Sequence, residues 1–167
     1  MALEKVISGG QTGVDLAALD AALALGLPIG GWCPLGRKNE AGLIPARYTL
    51  KETATSSYAE RTRRNVAMAQ ATFILVPRFA LLAGGTLYTM LCCERSGRPF
   101  FTMDWKPFDQ VDLLYEWLEG ATARPLWEAR ILNVAGPRES KAPGLQARAQ
   151  AALSVLFTLL QKGQPDE

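Results

Sequence analysis

The chain contains no histidine. That removes Ser-His-Asp and Cys-His nucleophile systems in their usual form, together with every histidine-ligated metal site. Cysteine is nearly as scarce, with three residues, of which Cys92 and Cys93 are adjacent. Three scattered thiols make neither a disulfide framework nor a four-cysteine zinc site, and they fit a reducing cytoplasm. No run reaches the ~18 consecutive apolar residues of a membrane span. The longest candidate, 71–93, is broken by Pro77, Arg78 and Gly84-Gly85. The first five residues show no signal-peptide pattern. Excess charge is missing too: 18 basic and 16 acidic side chains leave a net +2, too little to argue for a nucleic-acid binder. Any chemistry is left to Asp, Glu, Arg, Lys, Thr, backbone amides or a bound cofactor. The expected setting is cytoplasmic, with neither a membrane nor a nucleic-acid partner.

What is present is ordinary for a globular domain: 167 residues, 49% hydrophobic and 20% charged. Short apolar runs predict strands at 5–8, 28–33, 72–76, 99–103 and 131–135. Between them, helical patterns predict helices at 14–25, about 57–71, 85–96, 108–119 and 144–161. Leu16, Leu19 and Leu23 form one stripe of the first helix; Leu145, Ala149, Leu153, Leu156 and Leu160 form one face of the last. Ser57-Tyr58-Ala59-Glu60 fits a capping box. Three helix exits share a glycine followed two residues later by proline, at Gly26, Gly97 and Gly163. Alternating strands and helices with near-continuous apolar strands predict an α/β fold: one doubly wound domain over 1–163, a mainly parallel sheet with helices on both faces, and a polar tail at 164–167. The segment 34–56 is a long irregular connection of the kind that is often functional.

Ligands of such sheets bind outside the carboxyl ends of the strands. After the first strand comes Ser8-Gly9-Gly10-Gln11-Thr12-Gly13-Val14-Asp15, and after the third comes Ala83-Gly84-Gly85-Thr86. Each is a glycine turn opening a helix, suited to placing N–H groups and a helix N-terminus against an anion. The first is neither a G-x-G-x-x-G fingerprint nor a Walker A loop, and a plain tight turn is its bland alternative. Asp15 would repel a phosphate, so its expected part is to stabilise the helix or to contact a sugar hydroxyl or metal ion. Arg138 and Lys141 follow the last strand, Arg37, Lys38 and Arg47 lie in the long connection, and Arg61, Arg63 and Arg64 lie on the capped helix. Gathered at one edge they would focus potential on an anion; singly, each can equally be a solvated surface charge.

Together, the segments 6–15, 31–34, 58–62 with Asn65, 84–86 and 133–140 resemble the putative molybdenum carrier family, over about residues 5–161. The resemblance implies a Rossmann-like fold, often oligomeric, with a phosphate-recognising cleft. It is a fold shared with the DNA-processing protein DprA and the LOG-type nucleoside-monophosphate phosphoribohydrolases. It also implies a phosphorylated heterocycle as ligand, either the molybdenum cofactor (molybdopterin) as cargo or a nucleotide. The ligand-binding residues expected from the two readings taken together are Gly9, Gly10, Gln11, Thr12, Gly13, Asp15, Arg37, Arg61, Asn65, Gly84, Gly85, Thr86 and Arg138, with Asn65 implied by the resemblance alone. LOG-type hydrolases carry P-G-G-x-G-T-x-x-E. Here Ala83 replaces the proline, and the glutamate position falls on Leu91 or Cys92, with Glu94 beyond it. Glycosidic cleavage needs a carboxylate, so the expectation is a binding or carrier protein, with N-glycosidic hydrolysis or nucleotide sensing as the alternative.

Overall fold

The computed structural model describes residues 2–164, the side chain of Val111 excepted. Pro165–Glu167 of the expected tail, with the proline of the third helix exit, lie outside the described residues. Five parallel strands form the sheet: β1 (Lys5–Ile7), β2 (Ile29–Gly30), β7 (Ala71–Leu75), β8 (Phe100–Met103) and β9 (Ile131–Ala135), in the order β2-β1-β9-β7-β8. All five side chains of β7 are buried, as expected of a strand covered on both faces.

The strand that comes last in sequence is therefore central. It is flanked by β1, in register Val6 with Leu132, and by β7, in register Thr72 with Asn133. The chain moves outward from β1 to β2, then crosses to β7 and β8 on the other side of β9. Relabelled from the centre, this is the 3-2-1-4-5 order of a doubly wound sheet, with its opening strand-turn-helix unit moved to the end of the chain. The switch point, where ligands bind in such sheets, falls at the carboxyl ends of β9 and β7.

Period-two alternation divides the sheet's faces. Phe73, Leu75, Leu132 and Val134 join the larger core with α1 (Val14–Ala24), α5 (Val111–Glu119), α6 (Arg124–Glu128) and α7 (Leu145–Lys162). Thr72 and Asn133 point the other way, towards α2 (Tyr58–Met68) and α3 (Gly84–Ser96), where Val66, Cys92 and Cys93 pack together. All five expected residues of α7 are buried. The α1 stripe is a correction: Leu16 and Leu19 are buried, but Leu23 is 43% exposed. Ala17, Ala18, Ala21 and Ala22 are the residues that bring α1 against the sheet and α7, because small side chains permit close approach.

Two expected elements divide. The 28–33 strand breaks at Gly31, φ +114°, where a Cβ would lie 2.4 Å from Ser8 O. Beyond it β3 (Trp32–Cys33) leaves the sheet and pairs with β6 (Lys51–Glu52). The 108–119 helix is α4 (Lys106–Asp109) followed by α5, separated at Gln110. Within 34–56, β4 (Lys38–Asn39) and β5 (Gly42–Leu43) form a small hairpin. Gly26, Gly97 and Gly163 all take positive φ, as the helix exits require.

Candidate functional site

A cavity of about 400 Å³ opens at the switch point. It is bordered by the turn after β1, the first half of α2, the entry to α3, and β9 with the turn after it. The two glycine turns thus meet at one cleft. They differ in what their amides are doing.

The turn after β1 is satisfied internally. Gly10 N–H donates to Ser8 Oγ (3.4 Å), Gln11 N–H to Asp15 Oδ2 (3.2 Å), Thr12 N–H to Gln11 Oε1 (3.0 Å) and Gly13 N–H to Gln146 Oε1 (2.9 Å). The connection 34–56 closes over this turn. Asn39 Nδ2 donates to Gly10 O, Glu40 N–H to Gln11 Oε1, and the Thr12 hydroxyl to the Glu40 carboxylate. Glu40 also accepts from Ser140 N–H (3.1 Å) and the Ser140 hydroxyl (2.6 Å), tying the hairpin to the turn after β9. Burial opposes its charge, but those hydroxyls, the amide and Arg138 outweigh burial and hold its carboxyl below the usual range. The N-terminus of α7 is filled as well: the Glu139 carboxylate accepts from Gly144 N–H and Gln146 N–H.

At α3 the situation is reversed. Its N-cap is Ala83, which has no side-chain acceptor. Among the described residues no group accepts from the N–H of Gly84, Gly85 or Thr86. These donors border the cavity at the positive end of a 13-residue helix. Arg61, Arg138 and Lys141 supply cationic side chains to the same lining. Arg61 lies flat on Gly9, its Nη1 donating to Gly9 O (3.3 Å) and its guanidinium 4.9 Å from the Tyr58 ring. A Cβ on Gly9 would sit 2.7 Å from Arg61 Cδ, so glycine is what admits the arginine.

Asp15 is the one carboxylate among the lining residues. Burial raises its pKa most; Arg61 and the N–H groups of Gln11 and Gly9 pull it back, leaving it pushed up to about 6. The expected residues thus divide. Gly9, Gln11, Asp15, Arg61, Asn65, Gly84, Gly85, Thr86 and Arg138 border the cavity; Gly10, Thr12, Gly13 and Arg37 do not. A Cβ on Gly10 would meet Leu50 and Ile44 at 2.7 and 2.9 Å, in the small core beneath the connection rather than in ligand space. Arg37, at φ +50°, donates to the carbonyls of Ile44, Pro45, Tyr48 and Leu50. It is a staple of the connection, which is packed around buried Ile44, Tyr48 and Leu50. Arg37→Ala is expected to destabilise this segment by about 1–3 kcal/mol. Hydrogen exchange confined to 37–50 would report it, and unchanged protection there would contradict the assignment.

Asn65 borders the cavity but spends both amide atoms on the Trp32 backbone, with Trp32 N–H donating to Oδ1 (2.8 Å) and Nδ2 donating to Trp32 O (3.0 Å). Lining residues that sequence reasoning missed include Tyr58, Thr62, Thr89 and Asn133. Asn133 had a visible signal, as a polar residue inside an apolar strand, and Tyr58 and Thr62 lie in the matching segment 58–62.

Fold and cleft together define a Rossmann-like α/β protein with a cavity at the switch point of its sheet, lined by the entry to α3 and by Arg61, Arg138 and Lys141. Residues 6–157 match the circularly permutated YpsA SLOG family, and the chain belongs to that family. A strand that is last in sequence and central in the sheet, as β9 is, fits such a permutation. The crystal structure of a putative molybdenum carrier protein from Syntrophus aciditrophicus is similar throughout: TM-score 0.82, 36% identity, 93% of this chain and 95% of that one covered. No curated protein matches the chain. Among the described residues no helix is long and apolar enough to cross a membrane.

Proposed function

We propose that the chain binds a phosphorylated heterocycle in the cleft above β9 and carries it intact, with the molybdenum cofactor as cargo. The observation that carries this reading is the set of uncommitted N–H groups of Gly84, Gly85 and Thr86, facing a cavity lined by Arg61, Arg138 and Lys141. A helix N-terminus with free amides and nearby cations suits a phosphate dianion. The name of the Syntrophus relative supports molybdenum as the element carried. The donor set argues for the form in which it arrives. Among the described residues no group of three or more Cys, Asp or Glu side chains converges to hold a metal ion. The three cysteines are buried, and burial raises the thiol pKa of Cys33 and Cys93. The cleft offers phosphate donors, so molybdenum would come within its phosphorylated pterin, and a nucleotide is the competing ligand. A homo-oligomer in the cytoplasm completes the proposal.

Mass spectrometry of small molecules released from the natively purified protein, with elemental molybdenum measured alongside, tests the reading. A phosphorylated pterin with molybdenum supports it, and a retained nucleotide without the metal replaces the cargo. Arg61→Ala is expected to weaken binding of the retained molecule roughly ten- to a hundredfold, the loss of one charge-assisted contact. Calorimetry showing parental affinity would put the phosphate elsewhere. Hydrolysis is the second reading, and Asp15 is what favours it, as a buried cleft carboxylate pushed up to about 6. Glu94 is exposed on α3 outside the lining, and Glu139 is engaged in capping α7. Turnover of AMP near the ~1 s⁻¹ usual for enzymes, abolished in Asp15→Asn, would displace the carrier reading.

A further inference from the structure

We propose that Asn133, at the base of the cleft, reads the ring edge of the ligand and sets its specificity. The assignment rests on the phosphate-ester reading above. Asn133 is the middle residue of β9, between Leu132 and Val134, which both enter the larger core. It is only 3% exposed, yet its side chain makes one hydrogen bond among the described residues, a long one from Nδ2 to Thr72 Oγ1 (3.3 Å). Whichever way the amide is turned, one of its two poles has no protein partner. That pole is not sealed: Asn133 lines the cavity, and among the described residues only Thr102 has a side-chain polar atom fully enclosed and unpartnered.

A half-satisfied amide in the central strand costs stability that an apolar side chain would not. Among the described residues of the lining, the Thr86 hydroxyl and Gln11 Nε2 are also unpartnered, at the entry to α3 and in the turn after β1, whereas three groups are engaged. The Thr62 and Thr89 hydroxyls donate to Tyr58 O and Gly85 O, and Asn65 is committed to Trp32. With a phosphate held at the entry to α3, the part of the ligand reaching β9 is its ring. With one Nδ2 proton on Thr72, the Asn133 amide still presents Oδ1 beside its second Nδ2 proton, an acceptor beside a donor. Its complement is a planar edge with a donor beside an acceptor, found in the lactam of a guanine or pterin and in the amidine of an adenine. A charged or purely apolar terminus has no such edge.

Calorimetric titration with ribose 5-phosphate, AMP, GMP and neopterin phosphate measures what the ring adds to the phosphate. At least one ring-bearing ester should bind about tenfold or more tightly than ribose 5-phosphate, and the three ring arms tell purine from pterin. Asn133→Val should erase that increment, leave ribose 5-phosphate affinity unchanged, and keep or raise the denaturation midpoint. Asn133→Ala should lose the same increment, which guards against a packing fault peculiar to valine. A wild type without a ring increment, variants that retain it, or variants that weaken ribose 5-phosphate in the same proportion would each overturn the assignment. If ribose 5-phosphate binds and rings add nothing, the phosphate site stands without it. If no phosphate ester binds, the phosphate reading fails and takes this assignment with it.

Discussion

Gly13→Ala is expected to lose about 3 kcal/mol or more of folding stability, well beyond the usual effect of one added methyl group. Gly13 sits at φ +81°, which costs an L-residue about 1–2 kcal/mol. Its Cβ would fall 2.4 Å from Pro137 O and 2.8 Å from Glu139 N, both backbone atoms that cannot swing aside. Overpacking of that kind adds roughly 1–3 kcal/mol. The contact joins the turn after β1 to the turn after β9, reinforced by Val14 N–H donating to Pro137 O (3.2 Å). Forcing it apart also opens the floor of the cleft. Gly26→Ala is the control, with φ +72° but nothing within 4 Å of the new methyl group, so strain alone acts there. Urea denaturation of the two variants decides the matter: equal losses would mean that the close approach is not a constraint.

Asp15→Asn is expected to stabilise the protein at neutral pH and to confer nothing in acid. In the unfolded chain an aspartate titrates near ~3.9, while in the folded protein burial pushes Asp15 up to about 6. Between those values the folded state holds the proton more tightly. Stability therefore falls as pH rises through this window and levels off above it. Two pH units correspond to about 3 kcal/mol, an upper figure since the unfolded chain is not fully solvated. Denaturation at pH 4, 6 and 8 should show the variant's advantage growing from near zero to about 2–3 kcal/mol. A constant difference would mean that Asp15 does not carry the proton. Asp15 keeps this buried carboxyl beside Arg61 in the cavity lining, where it also accepts from Gln11 N–H.

The elements of the fold were largely legible. Strands such as β7 and β9 are short, apolar and flanked by glycine or proline, and α7 shows its buried face every three or four residues. The exits at Gly26 and Gly97 follow from the left-handed conformation that only glycine takes readily. Less legible were the break at Gly31 and the hairpin at 38–43, which exist because distant backbone and side chains meet them there. Asn65 was carried into the expected site with a matching segment, but its amide is spent on Trp32.

The two glycine turns show where the boundary lies. By local pattern Gly9-Gly10 and Gly84-Gly85 are equivalent, each a glycine pair leading into a helix. Composition and periodicity determined that both would stand at strand ends of an α/β sheet, and the missing histidine restricted the chemistry available there. Which turn leaves its N–H groups unpaired was decided only by tertiary structure. Gln146 reaches Gly13 across 133 residues, Glu40 and Asn39 descend on the first turn from the hairpin, and Glu139 fills the start of α7. Placing β9 between β1 and β7 was likewise invisible locally, since a strand's apolar pattern records that it is buried and not which neighbours bury it. A hydrogen-bond donor is spent or free according to what the whole chain brings within about 3 Å of it, and no local window of sequence contains that information.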